Sequence, residues 1–199
     1  MNWKTRPLER MICLQHKTIG FAFCGSFCTH KKALTALRTL CDGGYDIQPI
    51  VSETVFSTDT RFGRASSLIM EIEALCKRGV IHTIVDAEPL GPISPLELLI
   101  IAPCTGNTLA KMANGITDTA VTMAAKAQLR ADRPVLLGLC TNDALSANLQ
   151  NIARMHTRHQ VSFLPMSLDD PTNKPYSLVC DFGVLPSMVA SLTRDTKNT

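Results

Sequence analysis

The sequence contains no CxxC pair, although it holds eight cysteines: Cys13, Cys24, Cys28, Cys41, Cys76, Cys104, Cys140 and Cys180. Structural zinc sites and dithiol redox motifs rest on that spacing, so no metal centre is expected. Most of the eight lie in apolar runs, where a free thiol behaves as a small hydrophobe, and a reducing compartment suits such a chain. No apolar run reaches the roughly 18 residues needed to cross a bilayer. The opening residues carry Lys4, Arg6, Arg10 and Lys17 without an apolar segment ending in a cleavage site. They read as a tail over residues 1–16 of a cytoplasmic protein. The GxGxxG fingerprint of dinucleotide binding is also missing. Net charge is only +3 and scattered, which argues against nucleic acid as a partner. Basic groups converging in a cleft would still favour small acidic ligands. With no linker and no low-complexity tract, residues 17–194 are expected to form one domain, followed by a short tail over 195–199.

Apolar, β-rich runs alternate with helical patterns, the mark of βαβ units around a parallel sheet. Strands are expected over residues 18–24, 46–51, 81–85, 96–102, 134–140 and 161–164. Helices are expected over 30–41, from 68 to near 79, and over 107–113, 119–129, 148–157 and 178–192. The polar, proline-bounded stretch 165–175 reads as a loop. His156 and His159 fall at a surface helix end, away from any expected chemistry.

In such sheets ligands bind beyond the carboxyl ends of the strands, so the strand-to-helix junctions carry the functional information. After the first strand comes Cys24-Gly25-Ser26-Phe27-Cys28-Thr29, where Gly25 permits close approach and free amides suit an anion. A plain turn with a helix cap would read the same way. After the second strand, Ser52, Glu53 and Thr54 lead to Ser57-Thr58-Asp59-Thr60-Arg61-Phe62-Gly63, which either holds a phosphate or carboxylate or is a solvated loop. After the most apolar strand, Thr105, Asn107 and Thr108 offer more polar groups than one helix cap needs, which favours a ligand site. Asn142, after the next strand, offers both a donor and an acceptor, although a simple helix start there is an alternative.

These junctions resemble the flavoprotein superfamily that includes flavin-dependent cysteine decarboxylases and flavin prenyltransferases. The tract from Ala102-Pro103 through Asn107-Thr108 to Asp118 is similar to that family's signature around an Asn-Thr pair. Within the superfamily, Gly25-Ser26-Phe27-Cys28-Thr29, the Ser57 to Gly63 tract and Ala87-Glu88-Pro89-Leu90-Gly91-Pro92 resemble the dipicolinate synthase B-subunit family. Met123-Ala124-Ala125-Lys126-Ala127 and Thr141-Asn142-Asp143-Ala144-Leu145 do so as well.

The resemblance implies a three-layer α/β/α sandwich with a mainly parallel, doubly wound sheet of flavodoxin-like or Rossmann-like type, assembled as a trimer or dodecamer. It implies FMN, with Gly25 and Ser26 at the phosphate, Ser52 and Thr54 nearby, and Thr105, Asn107 and Thr108 along the flavin or substrate. Asn142 stands where the decarboxylases carry the Asn of a Pro-Ala-Met-Asn motif. Here Leu139-Cys140-Thr141 replaces the rest of that motif, and Asp86-Ala87-Glu88-Pro89 lacks the decarboxylases' catalytic His. Both departures point away from decarboxylation of a cysteine-containing substrate, the alternative activity. A non-catalytic flavin- or phosphate-binding subunit is the other alternative. The activity implied is conversion of 4-hydroxy-tetrahydrodipicolinate to dipicolinate in the mother cell of a sporulating bacterium. The partner would be an A subunit holding NADP. Catalytic candidates are Glu88, Asn107 and Asn142, and Arg61 and Lys126 are candidate clamps for a dicarboxylate.

Overall fold

The computed structural model describes residues 18–195. The expected N-terminal tail, Cys13 and nearly all of the expected C-terminal tail lie outside them. Five parallel strands lie in the order β2 (Ile47–Val51), β1 (Ile19–Phe23), β3 (Leu98–Cys104), β4 (Val135–Thr141) and β5 (Val161–Phe163). An antiparallel hairpin, β6 (Met166–Asp170) and β7 (Lys174–Cys180), joins β4 through Cys140 and Thr141. The sheet is therefore mixed but mainly parallel.

Side-chain alternation along the central strands builds two cores. In β3, Leu98, Ile100 and Ala102 face helices α1 (His30–Asp42), α3 (Ala65–Cys76) and α8 (Leu185–Asp195). Leu99, Ile101 and Cys104 face α4 (Ile84–Ala87), α5 (Gly106–Ala113), α6 (Ala120–Arg130) and α7 (Leu149–His156). All seven residues of β3 are buried, as a parallel strand covered on both faces must be. Each fully buried Leu, Ile or Phe contributes about 1.5–3 kcal/mol. Pro49 sits within β2, which is tolerable because β2 is an edge strand, extended among the described residues by a single bridge from Ile50 to Ile81.

Three expectations need correction. Residues 81–85 form no strand: Ile81 makes that one bridge, and Thr83 then caps α4 by accepting from the Asp86 amide at 3.1 Å. The expected loop over 165–175 is largely the β6–β7 hairpin. Its turn is closed by the Asp170 carboxylate, which accepts from the Thr172 and Asn173 amides. The last helix begins at Leu185 rather than 178, because 178–180 complete β7. An unexpected short helix, α2 (Glu53–Ser57), follows β2, with Ser52 as its N-cap. No helix among the described residues is long and apolar enough to cross a membrane.

Candidate functional site

From the end of β1 the chain turns to one face of the sheet through α1, and from the end of β3 it turns to the other through α5. Strand order reverses between them, and a crevice opens at their carboxyl ends. A cleft of about 830 Å³ lies there, within the roughly 300–1,000 Å³ usual for ligand sites. Gly25, Ser26, Arg61, Thr105, Asn107 and Asn142 all line it. Thr105 also caps α5, accepting from the Thr108 amide at 3.2 Å.

The remaining expected residues lie elsewhere. Thr108 turns inward and donates to the Cys24 thiol sulfur at 3.3 Å, so its hydroxyl serves the core. Ser52 and Thr54 are not among the cleft-lining residues but lie beside the first loop. Ser52 accepts from the Val55 amide, and the Thr54 methyl lies 4.0 Å from where a Gly25 side chain would begin. Glu88 is exposed in a 3-10 turn that packs on α6 near Arg130, outside the residues that line the cleft. Lys126 lines a separate groove of about 320 Å³ shared with Ile116 and Arg158. Neither reaches the cleft, because the α6 residues they accompany lead down to the start of β4.

Other cleft residues were given no ligand role in the sequence reading. Asp143 accepts from the Thr141 hydroxyl at 2.5 Å and from Asn148 Nδ2 at 2.9 Å, and all three surround Gly106. The hairpin adds Lys174 and Tyr176 as an outer wall, and Ser177 ties it to β4 by donating to the Thr141 carbonyl at 3.3 Å. A signal was present: Asp170, Pro171 and Asn173 form a turn cluster between Leu168 and the β-rich run ending at Cys180.

Thiols end four strands here. Cys24 is buried and its pKa is pushed up to about 11 by desolvation. Burial likewise raises Cys104. Cys140, in the cleft wall, lies 3.6 Å from Cys180, whose thiol hydrogen bond lowers the Cys140 pKa while that of Cys180 is pushed up. No group of metal-binding side chains is assembled among the described residues.

His30 steadies the first loop. Its Nε2 lies 2.8 Å from the Cys24 carbonyl, and because a carbonyl only accepts, Nε2 carries the proton. Burial lowers its pKa below the ordinary 6.5. The unfolded chain therefore takes up a proton near 6.5 and the folded chain only at lower pH. The stability is fully present above 6.5 and is lost as pH falls from there through the folded value. Thermal melts between pH 7.5 and 5.5 should show Tm falling with acidification. The slope should flatten in His30→Gln, which can keep the donor without titrating.

The flavoprotein family profile matches residues 8–190. The chain is 43% identical over 179 residues to the dipicolinate synthase B subunit of Bacillus subtilis (strain 168), covering 90% of each chain. The crystal structure of the corresponding B subunit from Bacillus halodurans superposes with a TM-score of 0.81 at 40% identity, covering 89% of this chain and 91% of that one. The FMN-dependent cysteine decarboxylase SpaF shares the fold alone, with a TM-score of 0.67 at 19% identity over 90% of this chain and 96% of its own.

Proposed function

The chain belongs to the flavoprotein family, and from that premise we propose that it acts as the B component of a dipicolinate synthase. The observation that carries this is the convergence of Gly25, Ser26, Thr105, Asn107, Asn142 and Arg61 on one cleft at the strand-order reversal. The similarity to the two Bacillus dipicolinate synthase B subunits supports the reading.

The residues present fit FMN. A side chain on Gly25 would meet only ordinary contacts, with Phe27 at 3.7 Å and Thr54 at 4.0 Å. Packing therefore does not require glycine there, and its absent side chain leaves backbone open to the cleft. Gly25 and Ser26 would hold the phosphate, while Thr105, Asn107 and Asn142 supply neutral donors and acceptors for a ring edge of carbonyls and nitrogens. When bound, FMN supplies two-electron redox chemistry, with the protein providing orientation and electrostatics.

Converting 4-hydroxy-tetrahydrodipicolinate to dipicolinate removes one water and two hydrogens. The terminal acceptor is NADP on a partner A subunit, in keeping with the missing dinucleotide fingerprint at Cys24 to Thr29. This chain's residues bind and orient: the Arg61 guanidinium takes a carboxylate, and the Asn107 and Asn142 amides fix the ring edge. Glu88 has no part in this arrangement, since it is not among the residues that line the cleft.

The test combines this chain, its dehydrogenase partner, freshly generated hydroxy-tetrahydrodipicolinate and NADP, with and without FMN. Dipicolinate is read by sensitised terbium luminescence. Product should require both proteins and rise with FMN. A rate that is the same without this chain would overturn the synthase reading, and a rate indifferent to FMN would remove the flavin from it.

A further inference from the structure

We propose that the Arg61–Phe62 turn and Lys174 form a two-walled clamp that selects a flat ring bearing two carboxylates. This rests on the synthase reading and adds the residues that distinguish a diacid from a monoacid.

The first wall is a locked turn. The Thr60 amide donates to the Gly63 carbonyl at 3.0 Å, and the Gly63 amide donates back to Thr60 at 3.1 Å. The Phe62 amide donates to the Thr60 hydroxyl at 3.1 Å. Gly63 has φ +149°, where a side chain would be strained. On the α3 side, Asp59 accepts from the Ala65 amide at 2.9 Å. All this order supports a tip whose two side chains serve no core. Phe62 is 55% exposed, and the Arg61 guanidinium lies 4.9 Å over its ring. Among the described residues Arg61 has no acidic partner, so its fork of donors is free for a carboxylate.

The second wall is the hairpin. Tyr176 is 57% exposed, and Lys174 donates to Asp169 at 2.7 Å. That pair is solvent-exposed and screened, so a ligand carboxylate can replace Asp169. The cleft's other carboxylate, Asp143, is committed to Thr141 and Asn148 and does not compete for either cation. The first wall presents a cation over an aromatic ring, Arg61 on Phe62, and the second carries Lys174 and Tyr176 two positions apart on β7, all four lining the cleft. A flat heteroaromatic ring can lie against the two aromatic side chains while its carboxylates meet the two cations.

Calorimetric titration of the full chain with pyridine-2,6-dicarboxylate, pyridine-2-carboxylate and FMN tests this. The diacid should bind more tightly than the monoacid. Arg61→Ala should weaken the diacid by about ten- to a hundredfold, the weight of a charge-assisted hydrogen bond. Lys174→Gln should bring the diacid down to the affinity of the monoacid, leaving monoacid and FMN binding unchanged. Both side chains are exposed, so Tm should hold. No diacid binding, equal binding of diacid and monoacid, or a Lys174→Gln effect equal on all three ligands would overturn the clamp. Failure of the reconstituted synthesis with this titration pattern intact would refute the synthase reading alone.

Discussion

Gly106→Ala should cost the fold about 1–3 kcal/mol, the usual penalty for forcing a carbon into filled space. It should also weaken ligand binding. A methyl group there would collide with Asn148 Nδ2 and come within 2.6 Å of Thr141 Oγ1 and 2.9 Å of Asp143 Oδ1. None of these atoms can step aside freely. Thr141 and Asn148 both donate to Asp143, and Asn148 also accepts from Asn151 at 2.9 Å. The strain would fall on the two segments that carry Asn107 and Asn142, each one residue from a clashing partner. For a chain of this size the loss corresponds to a Tm drop of roughly 2–12 °C. Gly25→Ala is the matched contrast. Among the described residues it meets no contact closer than 3.7 Å, so Tm should be unchanged while flavin affinity falls. Should Gly106→Ala melt with the wild type, the packing of α5 against the turn after β4 is looser than described.

The central sheet was legible because its strands are buried on both faces. Runs such as residues 98–104 can be little else in a chain that alternates with helices. The junctions after β1, β3 and β4 were legible for a related reason. Small polar groups at the ends of apolar strands have no packing role, and the cleft gathers Gly25, Ser26, Thr105, Asn107 and Asn142. The hairpin was not legible because its strands lie at the sheet margin. Ser167, Leu168 and Asp169 are exposed, so polarity there mimicked a loop. Thr108 was misplaced because a threonine that caps and a threonine that hydrogen-bonds a buried thiol have the same sequence context. Glu88 and Lys126 show the limit of tract resemblance. It locates a residue along the chain, whereas the fold places Glu88 in a turn packed on α6 and Lys126 on α6 itself, both outside the cleft lining. Asp143 was hidden because its role depends on contacts with Gly106 and Asn148, two segments that pattern alone does not bring together.

Asn107→Ala is expected to lower dipicolinate formation by the reconstituted pair of proteins about 100-fold or more, the scale seen when one preorganised donor is removed from a reacting edge. Asn107 is exposed at the start of α5, and among the described residues its side-chain amide makes no hydrogen bond. The fold therefore has little to lose, and stability should change by no more than the roughly 0.5 kcal/mol typical of surface substitutions. The Asn107 side chain is held on a helix, opens to the cleft and leaves its donor and acceptor unused by the described residues. Asn142 stands on the neighbouring turn in the same condition, exposed and lining the same cleft. If both amides address one ring edge, the double variant should lose less than the product of the two single losses. If the losses simply multiply, the two side chains act at separate places. Asn107→Ala with full activity and unchanged flavin affinity would instead fit a chain that supports its partner without touching the reacting molecule.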